Sequence, residues 1–297
     1  MPELFSANET TRPRLIRWLA GTILILIFWA FAGAALTGTV ASIFGVDLFA
    51  LAGTDEASLA IVRGYAPWKA AATILVSFAP LLVATTFLHK FLLKRPMRAL
   101  FTRNNRQLSR EIGLGALAMF IILVASALPD LLANSDSYRW NFQLSAFLPY
   151  LLIAFTLIPI QTSAEEVFFR GWIQQRLENG RRSIWVVSLL GGALFALPHL
   201  SNPEVKGEFF FAALGYGASG FMFSWVSMRD RSIGVALGAH ATNNIMASLF
   251  VTSSDSALPS VSIFTTPAVN WVPAAILSIV TIPIFIWLTK RLSRAKS

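Results

Sequence analysis

Runs of about 18 or more apolar residues recur from one end of this chain to the other, and each is long enough to cross a hydrocarbon core of about 30 Å as a helix. Inside a bilayer every backbone N–H and C=O must find its partner within the protein, which restricts a spanning chain to helices or a closed barrel. The runs are continuously apolar and do not alternate in short segments, which argues against a barrel. Only 13% of the 297 residues are charged and 55% are hydrophobic, whereas an ordinary soluble domain is roughly a quarter charged. The expected fold is all-α, a polytopic transmembrane bundle forming a single domain over residues 1–297.

Eight spans are expected, at about 19–43, 70–88, 112–128, 147–162, 184–197, 209–228, 233–250 and 272–288. The fourth should continue as helix past Arg170 until Asn179 and Gly180 stop it. The basic flank Arg12 to Arg17 would suit a signal peptide, but the first run is too long for one and reads as a retained span.

Basic residues set the orientation. With the N-terminus inside, about twenty of the 24 Lys and Arg fall in cytoplasmic segments, chiefly Lys90 to Arg110, Arg176 to Arg182, Arg229, Arg231 and the C-terminal tail. The other side keeps Arg63, Lys69, Arg139 and Lys206. Even parity, with both termini cytoplasmic, preserves this separation. The formal charge of +9 therefore belongs to membrane topology and not to nucleic-acid binding. No cysteine occurs, which excludes disulfides and thiolate metal sites.

Ionisable residues at membrane depth are costly and mark function by default. Three groups stand out. At the end of the fourth span lies Glu165-Glu166-Val167-Phe168-Phe169-Arg170. Positions four apart share a helical face while adjacent ones diverge by about 100°, so Glu166 can pair with Arg170 and Glu165 is left free to accept a proton. The alternative is that the helix emerges here into interfacial water. In the fifth span, Phe195 and His199 share a face, and Pro198 loosens the backbone between them. In the seventh, His240 and Asn244 share a face and could converge on one oxygen or one metal; hydrogen bonding between helices is the alternative. The chain has three His, and the third, His89, reads as a surface residue beside Lys90. Assembly of the fourth, fifth and seventh spans would bring Glu165, His199 and His240 into one buried site.

Glu-Glu-x-x-x-Arg, Phe-x-x-x-His and His-x-x-x-Asn, each in its own helix and in that order, resemble the CPBP family. These are intramembrane proteases that include the Rce1-type CAAX prenyl endopeptidases and bacterial relatives associated with bacteriocin self-immunity. The similar region is a core of about residues 163–248. The resemblance implies an endopeptidase in which Glu165 with His199 activates a water, His240 with Asn244 stabilises the oxyanion, and Glu166 with Arg170 holds the helix in register. It implies a peptide or membrane-protein substrate, CAAX-like or C-terminal, cut near the cytoplasmic face, with lipid as the surroundings and the plasma membrane of a prokaryote as the place. A zinc ion on Glu165, His199 and His240 is the other form of this chemistry, since two His and one carboxylate leave an open position for water. The chain lacks His-Glu-x-x-His, and Asn244 suits an oxyanion better than zinc, so no cofactor is the expected state.

One feature of the helices resists this picture. Counted at about 1.5 Å per residue from the cytoplasmic ends, His199 lies several ångströms further out than Glu165 and His240; tilt, or a break at Gly191-Gly192 or Pro198, would bring it back. Two other functions remain open: a proton- or ion-coupled transporter using Glu165, Arg170 and His199, and a membrane scaffold or immunity protein without catalysis.

Overall fold

A computed structural model describes residues 15–53, 58, 61–62, 64–104, 107–178 and 182–294. Arg12, Arg14, Arg63, Arg106, Asn179, Gly180 and Arg181 lie outside the described residues, so the proposed helix stop and part of the charge reading are not addressed by it.

Eight helices stand where the eight apolar runs predict them: α1 Leu15–Phe44, α2 Pro67–Phe91, α3 Leu108–Ala133, α4 Leu144–Leu177, α5 Ile184–His199, α6 Phe209–Asp230, α7 Gly234–Leu249 and α8 Trp271–Arg294. Six are long and apolar enough to cross a membrane. The remaining two, α5 and α7, have 16 residues each, or about 24 Å of helix. Large apolar side chains such as Phe31, Leu152, Phe210 and Trp287 are more than half exposed on the outside of the bundle, a surface that suits lipid and not water. The protein is an integral membrane protein built as a helical polytopic bundle. The connections hold a small sheet of three short strands, β1 Arg139–Trp140, β2 Val251–Ser253 and β3 Phe264–Thr266, in the order β1-β3-β2.

Without a hydrophobic drive between helices in lipid, close packing depends on small residues at the crossings. A Cβ on Gly238 would lie 1.9 Å from the carbonyl oxygen of Ile112, and one on Gly115 2.0 Å from that of Val235. These two glycines press α7 and α3 backbone to backbone. The same device joins α5 and α6, where a Cβ on Gly192 would meet Gly217 O at 2.5 Å. Helix α5 runs unbroken through Gly191 and Gly192. Of the alternatives of tilt and a break, a break is thereby excluded: these glycines serve helix approach, and Pro198 falls in the last turn, where little of the hydrogen-bond ladder remains to be lost.

Between Val167 and Gln174, α4 widens into π-helix, a form often associated with functional sites. Within this stretch Arg170 Nη2 donates to Gly220 O at 3.0 Å and Gln174 Nε2 donates to Ser224 O at 3.1 Å. The two donors and the two acceptors are each four residues apart, so the bonds fix the register of α4 against α6.

Candidate active site

The polar residues singled out on α4, α5 and α7 gather around one cavity of about 580 Å³, lined among others by Gln161, Glu165, Phe195, His199, His240 and Asn244. Packed behind the cavity wall, and not lining it, is the pair Glu166 and Arg170, 3.1 Å apart with both side chains fully buried. The interfacial-water reading is thereby overturned, because α4 continues to Leu177 and encloses the pair. Burying an ion pair is tolerable only with further hydrogen bonds, and two are present, although Glu166 Oε2 and Arg170 Nε are buried without a hydrogen-bond partner among the described residues. Glu166 Oε1 also accepts from His240 Nδ1 at 2.8 Å, and the guanidinium carbon of Arg170 lies 4.5 Å from the ring centre of Phe195 and 5.5 Å from that of Phe223.

Glu165 turns away from this pair into the cavity. Its Oε1 accepts from Gln161 Nε2 at 2.6 Å. Its Oε2 is buried, accepts no hydrogen bond among the described residues, and lies 3.7 Å from His240 Nε2. The division of labour on α4 follows from helix geometry: the neighbour of the ion-paired carboxylate points onto another face.

His240 spans both carboxylates. Because a carboxylate can only accept, Nδ1 must carry the proton it gives to Glu166, leaving Nε2 with a lone pair in the neutral ring and a second N–H in the imidazolium. The ring stacks on Phe223 with centroids 5.3 Å apart. Asn244, on the same face of α7, takes a different partner: its Nδ2 donates to Gln161 Oε1 at 3.2 Å, and its Oδ1 accepts from Asn243 Nδ2 at 3.1 Å. The orientation of Gln161 is fixed by the same logic. With its amide nitrogen given to the Glu165 carboxylate, its oxygen is what remains for Asn244.

His199 lies one turn further along than Phe195, whose ring is the side chain that touches Arg170 and His240. His199 Nδ1 lies 2.7 Å from Phe195 O, and its ring packs on Tyr216 with centroids 4.6 Å apart. Tyr216 Oη donates to Glu204 Oε1 at 2.6 Å. His89 is not the surface residue expected; it is 1% exposed and packs edge-on to Trp172, because the connection after α2 folds back under the bundle.

Two groups at the site carry no motif. Gln161 stands one helical turn before Glu165, and the four-residue spacing used for Glu166 and Arg170 would have found it. Glu204 and Tyr216 come from a loop and from α6, and only tertiary structure joins them to His199.

The zinc alternative can be tested on the donors themselves. Both imidazoles engage Nδ1 and leave Nε2 over, the usual arrangement of a ligating His. However, among the described residues no group of three His, Asp or Glu side chains is disposed to hold a metal ion. The three residues named for zinc do not fit as placed, and no step is derived through a metal.

One carboxylate, two imidazoles and an amide line one cavity of this integral membrane bundle, with a second carboxylate buried behind them. Residues 144–246, which hold all of these groups, match the family model described as type II CAAX prenyl endopeptidase Rce1-like. Through this segment, about a third of its length, the chain is similar to the Rce1-like family. It is also 36% identical over 178 residues to the uncharacterized protein YyaK of Bacillus subtilis (strain 168), a match covering 59% of this chain and 60% of that relative. No solved structure shows a significant match.

Proposed function

We propose that this protein is an intramembrane endopeptidase that hydrolyses peptide bonds of membrane-associated or CAAX-like substrates by a metal-free, glutamate-dependent mechanism. The observation that carries the reading is the unlike state of the two carboxylates. Glu166 is ion-paired with Arg170 and accepts from His240 in a fully buried cluster that does not line the cavity, whereas Glu165 lines the cavity and carries no basic ion-pair partner other than His240 among the described residues.

In this mechanism a water held between Glu165 and His199 loses a proton to the Glu165 carboxylate as its oxygen bonds to the scissile carbonyl carbon. The resulting oxyanion takes hydrogen bonds from Asn244 Nδ2 and, in its doubly protonated form, from His240 Nε2. The carbon–nitrogen bond then breaks, and the proton on Glu165 passes to the leaving amine, which regenerates the carboxylate. A general base contributes about 10²–10⁴-fold, and one oxyanion donor about 3–4 kcal/mol. The core at residues 163–248 is the part that would carry this chemistry, in a prokaryotic plasma membrane. The transporter and scaffold readings have less to recommend them, since neither accounts for a carboxylate and two imidazoles lining one cavity.

The test is a proteolysis assay on purified protein in lipid nanodiscs with a quenched C-terminal peptide library, run with and without a zinc chelator. Cleavage that survives the chelator and is lost in Glu165→Ala supports the proposal. Chelator-sensitive cleavage would replace the metal-free mechanism, and no cleavage of any library member by the wild type would move the balance to a scaffold.

A further inference from the structure

We infer that the cavity is entered from the face of the membrane poor in basic residues, the non-cytoplasmic face by the positive-inside rule, and that its substrates are peptide segments presented on that side. The substrate part rests on the endopeptidase reading; the route of entry does not.

The two ends of the bundle are distinct. At one end the basic segments meet. Arg103 N donates to Arg231 O at 2.9 Å, Arg95 Nη1 to Gln175 Oε1 at 3.4 Å, and Arg229 Nη1 to Ile286 O at 3.1 Å. Such an end belongs in the cytoplasm. At the other end the loops are tied through Glu204, whose Oε2 accepts from Ala257 N at 2.9 Å and whose backbone oxygen accepts from Trp271 Nε1 at 2.8 Å. Lys206 and Asp255 close the same loops at 3.4 Å.

The cavity connects to the second end. Its walls rise from Glu165 and His240 to Asn202, Glu204, Ser256 and Ser260, and no described residue of the basic segments lines it. Towards the basic end the way is filled. The Glu166–Arg170 pair lies fully buried, Leu100, Val167, Ile233 and Leu237 form an apolar cluster, and α3 meets α7 backbone to backbone at Gly115 and Gly238. Beyond Glu165, α4 continues from residue 166 to residue 177, about 18 Å of helix. The helix thus continues past Arg170, as the sequence predicts, and its last turns stand between Glu165 and the basic end. The wall chemistry suggests what enters. Ser256 and Ser260 near the mouth can hydrogen-bond an extended backbone, while Phe78, Met119 and Ile122 deeper in offer an apolar surface.

The chain has no cysteine, so single cysteines report access directly. Ser219→Cys and Ser256→Cys place a thiol midway and at the mouth. Ser109→Cys marks the basic end and Ser135→Cys the other, both at exposed positions. A charged, membrane-impermeant maleimide is applied to right-side-out and to inverted vesicles. The inference expects Ser219→Cys and Ser256→Cys to label in right-side-out vesicles together with Ser135→Cys, and Ser109→Cys to label in inverted ones. Labelling of Ser219→Cys from the Ser109→Cys side, or from neither side while Ser256→Cys reacts, overturns the route; labelling of Ser109→Cys in right-side-out vesicles overturns the sidedness. Repeating the series with Glu165→Gln separates this outcome from catalysis, since a cavity open to one face labels whether or not it cleaves.

Discussion

Glu166 and His240, on different helices and 74 residues apart, share a 2.8 Å hydrogen bond between Oε1 and Nδ1. The carboxylate that neutralises Arg170 thus also fixes which nitrogen of His240 faces the cavity and Glu165. Structural charge pairing and orientation of a site imidazole are two consequences of one oxygen atom.

Removing that carboxylate should therefore be felt in stability first. Glu166→Ala leaves Arg170 as an unpaired buried cation, and breaking a buried pair in this way costs about 3–5 kcal/mol. Thermal unfolding of the purified variant in detergent should fall well below wild type. Arg170→Ala should do the same and also loosen α4 from α6 by losing the bond to Gly220 O. Wild-type melting in either variant would contradict the structural role of the pair.

Gln161 acts through its neighbours, holding Glu165 and Asn244 in one relative orientation. Gln161→Leu keeps a side chain of similar length without either hydrogen bond. The expected outcome is a fall in kcat of at least about tenfold, within the range assigned to positioned acid–base groups, with KM changed little and melting close to wild type. A rise in KM at constant kcat would instead make Gln161 a substrate contact.

The glycine crossings give a packing test with an internal control. Gly238→Ala drives a Cβ to 1.9 Å from Ile112 O, whereas a Cβ on Gly113 meets nothing within 4 Å. Overpacking of this kind costs about 1–3 kcal/mol, and here it displaces the helix that carries His240. Gly238→Ala should lower both the unfolding temperature and turnover, with Gly113→Ala near wild type in both. Equal behaviour of the two variants would mean that α3 and α7 do not meet as described.

The positions of all eight helices were legible because a lipid-facing helix must be apolar along its length, and that leaves an unbroken run in the sequence. The pairing of Glu166 with Arg170 was legible for an equally local reason, the four-residue helical repeat. The same repeat succeeded less well for His240 and Asn244. It placed them on one face, but their immediate partners, Glu166 and Gln161, come from another helix. Burial of His89 depends on where the segment after α2 returns, and the contact of His199 with Tyr216 depends on α6. The Gly191-Gly192 pair stood as one possible place for a helix break because a sequence shows the missing side chains and not the backbone that fills their place. The π-helical stretch of α4 has no sequence signal that we can identify.

The central claim is that adjacent carboxylates do different work: Glu165 is the base and Glu166 is structural. The most direct measurement pairs Glu165→Gln with Glu166→Gln and records both peptide turnover and unfolding temperature for each. Glu165→Gln is nearly isosteric and keeps an acceptor for Gln161, so it should melt like the wild type and lose turnover, whereas Glu166→Gln should lose stability. Turnover that persists in Glu165→Gln, with the protein folded, would contradict the account.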